Sequence, residues 1–209
     1  VETRVKVAGN LLRDYGFFNG SVTHEIIPQK DPKMEKITYV IDMGNPYYLD
    51  SIAWLKYPSK ADSLIQTTRR KSVLKKGDNF SVLKLEEERQ RISDLLRNNG
   101  YYYFRPDLTT FRADTLQKSG YVSLQVVPQN GLPVEAKKQY YIGKTSVYLT
   151  GYNGETPTDS LVFPSMTLHY HGKKPGIRPS ALTRNFFYRR GELFSQDRQT
   201  FTQEAIARM

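Results

Sequence analysis

The sequence predicts a mixed α+β chain of tandem β-α-α-β-β repeats, each a three-stranded sheet covered on one face by two helices. Three recurrences predict it. Leu11-Leu12-Arg13-Asp14-Tyr15-Gly16-Phe17-Phe18 returns 84 residues later as Leu95-Leu96-Arg97-Asn98-Asn99-Gly100-Tyr101-Tyr102. Tyr47-Tyr48-Leu49 returns as Tyr140-Tyr141-Ile142, and Lys75-Lys76-Gly77-Asp78-Asn79-Phe80-Ser81 returns as Arg189-Arg190-Gly191-Glu192-Leu193-Phe194-Ser195. Any one of these is common, but their consistent cyclic order marks an internal repeat.

The middle copy, 45–131, reads as complete. Residues 47–57 are the first strand, with Leu49, Ile52 and Trp54 apolar. Residues 60–76 and 82–99 are helices; Val82, Leu85, Ile92, Leu95 and Leu96 share one face of the second, and Glu87 can pair with Arg91. Glycine closes that helix, because it reaches the left-handed conformation without a Cβ penalty. The cationic pairs before Gly77 and Gly191 sit where a helix end would favour them, and Ser81 can cap the next helix with Phe80 stapled to Leu85. Residues 101–112 and 120–128 complete the sheet, Val122, Leu124 and Val126 alternating on one face.

The flanking copies are partial. Residues 1–44 supply a second helix and a final hairpin, in which Ile37, Tyr39, Ile41 and Met43 alternate. Residues 138–209 supply a first strand, a first helix and the start of a second. Between them, about 151–176 reads as a loop-containing insertion rich in Gly, Pro, Thr and Asp. A chain that begins and ends inside repeats is expected to be a piece of a longer protein.

Composition narrows the function. With 31 Lys and Arg against 21 acidic residues the net charge is +10, but the basic residues are dispersed, whereas nucleic-acid binding favours a concentrated stripe with stacking platforms. Without cysteine there are no disulfides, thiolate ligands or cysteine nucleophile. His169-x-His171 has only His24 as a further imidazole, and no carboxylate cluster completes a metal set. Glu86-Glu87-Glu88 reads as a solvated first helical turn, no nucleophile elbow is present, and Gly172-Lys173-Lys174-Pro175-Gly176 lacks phosphate-loop spacing. Tyr15, Tyr101, Tyr102, Tyr140 and Tyr141 read as core and inter-repeat packing. The expectation is a binding module, not an enzyme, without cofactor or metal.

The Leu-Leu-x-x-x-Gly-aromatic-aromatic helix ends, the Gly-x-x-Phe turns at 77–80 and 191–194 and the Tyr-aliphatic strand openings resemble the POTRA (polypeptide-transport-associated) repeats of outer-membrane assembly proteins of the BamA/TamA type, in the surface antigen family. The resemblance implies periplasmic repeats of an outer membrane protein, with a C-terminal β-barrel outside these residues. It implies partly folded or unfolded outer-membrane clients, periplasmic or lipoprotein partner subunits, and no nucleic acid. It also implies β-augmentation, in which a client strand pairs with an open sheet edge. Edges offer unpaired N–H and C=O groups to any extended chain.

Two edges are candidates. In the first copy the residues are Ser21, Val22, Thr23, His24, Glu25 and Ile26; in the middle copy, Tyr103, Phe104, Arg105, Leu108 and Thr110. Pro106 favours an edge placement for the second but withholds one donor, so 21–27 is expected to accept a guest strand better than 103–108. The competing expectation is a basic α+β nucleic-acid-binding protein.

Overall fold

The computed structural model describes residues 1–31, 33–58, 60–150, 154 and 156–209. It divides into two compact units, one of residues 1–92 and 105–130, the other of 93–104 and 131–209. This division does not follow the expected repeat boundaries, since the end of the middle copy's second helix clusters with the C-terminal unit.

The first unit opens with α1 (Glu2–Asp14) and the antiparallel hairpin β1 (Ser21–Pro28) and β2 (Glu35–Asp42), paired from Ser21↔Asp42 to Pro28↔Glu35. The middle copy follows as β3 (Tyr48–Trp54), α2 (Ala61–Thr67), α3 (Val82–Arg97), β4 (Thr109–Asp114) and β5 (Tyr121–Pro128). Its sheet order is β3-β5-β4, with β3 parallel and β4 antiparallel to the central β5. Alternation along β5 turns Val122, Leu124 and Val126 inward with Leu49, and Ile65, Ile92 and Leu96 of the helices are buried too; all are essentially inaccessible. Each such side chain contributes roughly 1.5–3 kcal/mol of burial free energy.

Two buried polar contacts pin this copy. Glu88 lies fully buried, taking Arg91 Nη2 on one carboxylate oxygen at 2.6 Å and Arg91 Nε and the Val73 amide on the other at 2.9 and 3.2 Å. Glu88 is therefore an internal clamp between α3 and the segment after α2, not part of a solvated acidic turn, and it takes the arginine expected to pair with Glu87. The Tyr57 hydroxyl meets Thr109 Oγ1 at 3.1 Å in the interior, where burial pushes the phenol up to about 12.

Two of the expected bounds need correction. The first helix stops at Thr67: the Thr67 and Thr68 hydroxyls bond back to the carbonyls of Ser63 and Leu64, and a 3₁₀ turn at Arg69–Lys71 follows. The cationic pairs Lys75-Lys76 and Arg189-Arg190 thus sit in turns beyond their helices. The expected strand 101–112 begins only at Thr109, because Pro106 starts a 3₁₀ turn, Pro106–Leu108, with the Leu108 amide bonded to the Arg105 carbonyl.

The second unit contains β6 (Ser146–Tyr148), β7 (Asp159–Val162), β8 (Thr167–Tyr170), α4 (Pro179–Arg184) and α5 (Gln196–Ala207). Residues 151–153 and 155 of the expected insertion lie outside the described residues. The rest is more than loop, since it holds β7 and β8. They form a sheet in the order β6-β8-β7, parallel between β6 and β8 and antiparallel between β7 and β8. That is the strand pattern of the middle copy, assembled before the helices instead of after them. Met166, Leu168 and Tyr170 pack with Leu182 of α4 in its core.

The sequence recurrences correspond to the same construction made twice. Within the first unit, Gly16 ends α1 at φ 88°, and the Phe17 amide bonds the Leu12 carbonyl. The Tyr47 amide bonds Gly16 O, the Phe80 amide bonds Tyr47 O, and Leu49 exchanges bonds with Gly77 and Asp78. Within the second unit Gly100, at φ 92°, Tyr140, Phe194, Ile142, Gly191 and Glu192 repeat each bond in turn. The Phe18 ring stands 5.0 Å from both Tyr47 and Phe80; Tyr102 stands 6.5 Å from Tyr140 and 4.8 Å from Phe194. A Cβ on Gly16 would come within 2.8 Å of Phe80 O, so this approach requires glycine. Tyr15 and Tyr141, expected in such packing, are exposed instead.

Candidate strand-binding edges

Backbone groups left unpaired by a sheet are the chemistry on offer here. Among the described residues β1 pairs only with β2, so its other side is an open edge across Ser21, Val22, Thr23, His24, Glu25 and Ile26. Val22, His24 and Ile26 face Ile41, Tyr39 and Ile37 across the pair, giving the hairpin one apolar face. No residue of α1, β1 or β2 is buried.

The second candidate edge is shorter than the sequence suggested. Strand β4 does lie at an edge of its sheet and carries Thr110, paired with Val127. Tyr103, Phe104, Arg105 and Leu108 are not in a strand at all. Phe104 and Leu108 are buried, and Tyr103 packs on Tyr140 at 5.2 Å. The two groups of residues are thus not alike: one is a continuous edge of eight residues, the other a turn followed by six. At the opposite edge of that sheet, residues 77–80 cover the start of β3 through the bonds to Tyr47 and Leu49.

A groove lies between α1 and the start of β1. Lys6, Gly9, Asn10 and Arg13 of α1 form one wall and Gly20 to Val22 the other, with no residue of β2 in the lining. At Gly9 a Cβ would find nothing within 4 Å, whereas Gly20 has Leu12 Cδ1 within 2.9 Å of its Cβ position. One glycine leaves the groove open; the other lets α1 and the strand approach.

Residues 66–142 match the family model described as surface antigen variable number repeat, POTRA. That match falls in the middle of the chain. The crystal structure of BamA POTRA3-5 from Haemophilus influenzae shares its fold with a TM-score of 0.52 at 11% identity, over 99% of this chain and 68% of that one. Weaker similarities reach BamA of Haemophilus ducreyi lacking POTRA domains 1–3 (TM-score 0.38, 17% identity, 61% of this chain and 23% of that one) and the N-terminal domain of Omp85 from Thermosynechococcus elongatus (TM-score 0.29, 17% identity, 100% and 72%). No curated protein sequence matches the chain.

The POTRA motifs found by sequence are therefore scaffold: they close helices and seat strand openings. Sequence reasoning missed the groove residues Lys6, Gly9, Asn10 and Arg13. The available signal was the glycine at position 9, inside a helical pattern, where the matching helix 84 residues later has Ser93. No helix among the described residues is long and apolar enough to cross a membrane, and no group of three or more His, Asp or Glu among them is placed to hold a metal.

Proposed function

We propose that this chain is the periplasmic POTRA region of an outer-membrane protein assembly or translocation factor, and that it engages partly folded outer-membrane clients by strand addition. The proposed organisation is one repeat at 45–131 between the C-terminal part of another at 1–44 and the N-terminal part of a third at 138–209. A C-terminal β-barrel outside these residues and periplasmic or lipoprotein subunits are the proposed partners, and the role is binding, not catalysis.

One observation carries the reading: among the described residues β1 has a strand on one side only, over Ser21–Pro28, with a groove between its start and α1. Main-chain pairing there gives affinity with little demand on sequence, which suits a protein that handles many clients. The edge of β4 supports it less, being preceded by Pro106 and by buried side chains.

Amide exchange of the chain with an unfolded outer-membrane β-barrel fragment tests it. New protection confined to 21–27 is the expected result. Protection only within 101–112, or none on either edge, overturns the assignment.

A further inference from the structure

We propose that the groove beside β1 selects extended peptides bearing acidic side chains, whose carboxylates lie against Lys6 and Arg13 of α1. The proposal rests on the strand-addition reading and adds the chemistry of the guest. An edge strand reads almost nothing of a guest's sequence, because it offers only backbone groups. Selectivity must come from whatever flanks the guest, and here that is α1.

Lys6, Asn10 and Arg13 are spaced four and three residues apart and so share one helical face, which forms the wall of the groove. No acidic residue lines the groove, and neither cation has a carboxylate partner among the described residues. A guest strand on the open side of β1 therefore passes beneath two uncompensated positive charges. Gly9 lies between them, and the empty space over its Cα leaves room for guest side chains. Side chains alternate along a strand, so every second residue of the guest is presented to that wall.

The second copy shows what the device needs. Ser93 stands at the position of Gly9, fully buried, its hydroxyl 3.5 Å from the Phe104 carbonyl. Gln90 stands at the position of Lys6, and Arg105–Asp107, at the positions of Ser21–Thr23, run into a 3₁₀ turn. Strand edge, open glycine and paired cations occur together only in the first copy.

Three peptides of one alternating apolar/polar sequence, with Glu, Ser or Lys at the polar positions, provide the test. Each is titrated into the whole chain at low salt while backbone amide shifts are followed. The Glu peptide is expected to bind at 20–28 about five- to tenfold tighter than the Lys peptide, with the ratio shrinking as salt is added. Lys6→Glu combined with Arg13→Glu should reverse that order, and Gly9→Leu, compatible with a helix, should weaken all three. Equal affinities at β1 overturn acid selection while leaving strand addition standing. A preference that survives charge reversal removes Lys6 and Arg13 from the account. Shifts at 20–28 from anionic phospholipid vesicles but from no peptide overturn both readings.

Discussion

The helix-hairpin of α1, β1 and β2 and that of α3, β4 and β5 share sequence landmarks, element order and antiparallel pairing, yet only the second has an interior. In the first, Leu11, Ile26, Ile37 and Ile41 remain exposed; in the second, Ile92, Leu96, Val122 and Val126 are sealed. The difference lies in the rest of the repeat. Strand β5 is central because β3 pairs along its other side, while β2 has β1 alone among the described residues. Apolar alternation therefore specifies which face to bury, but a third strand and the first helix are what bury it.

The sharpest contrast is between Leu12 and Leu96, which occupy the same place in the repeated motif. Leu96 is fully buried, so Leu96→Ala should cost about 2–5 kcal/mol through lost transfer energy and a cavity. Leu12→Ala, at a half-exposed site, should cost about 1 kcal/mol. Urea unfolding followed by the single tryptophan, Trp54 of β3, measures the first, and α1 amide exchange measures the second. Equal losses would mean that the first copy is packed as tightly as the second.

A smaller effect belongs to Tyr57 and Thr109, a buried pair with no analogue in the first copy, where Glu25 stands at the position of Thr109. Tyr57→Phe should cost about 1–2 kcal/mol near neutral pH, because the Thr109 hydroxyl loses its partner in the interior. The alkaline dependence has a definite sign. Burial raises the folded-state value from 10.0 to about 12, so the contribution is full below pH 10 and is lost as pH rises through 12. Wild-type stability should fall faster than that of Tyr57→Phe across this window, as urea midpoints on either side of it will show. Parallel curves would place the phenol in contact with water.

Much of this was legible because the repeat is written in residues with few conformational alternatives. Gly16 and Gly100 must close their helices, and the aromatics after them return 84 residues apart. What misled were residues whose meaning depends on partners distant in sequence. Glu88 belongs to an acidic run that reads as solvent-facing, and only the turn at Val73 and the guanidinium of Arg91 make it interior. Tyr103, Phe104, Arg105 and Leu108 have the β-propensity of a strand, but Pro106 diverts the backbone before pairing begins. The insertion hid β7 and β8 because short strands among Gly, Pro and Asp carry little periodic signal. The groove was missed for a related reason: Gly9 matters through the space above it, which no local pattern encodes.

That space yields the smallest and cleanest test of the comparison. Gly9 lies inside α1 and is not among the glycines at positive φ, so alanine can adopt its conformation. A Cβ there meets nothing within 4 Å, and the unfolded chain loses freedom, so Gly9→Ala should stabilise α1 by about 0.5–1 kcal/mol. At the matching position Ser93→Ala should act in the opposite sense, by about 1 kcal/mol, since it deletes a buried hydroxyl facing the Phe104 carbonyl. Thermal melts followed by circular dichroism, with α1 amide exchange for Gly9→Ala, will separate the two. Destabilisation by Gly9→Ala would mean that something already packs over position 9, and the open groove would then be no place for a guest strand.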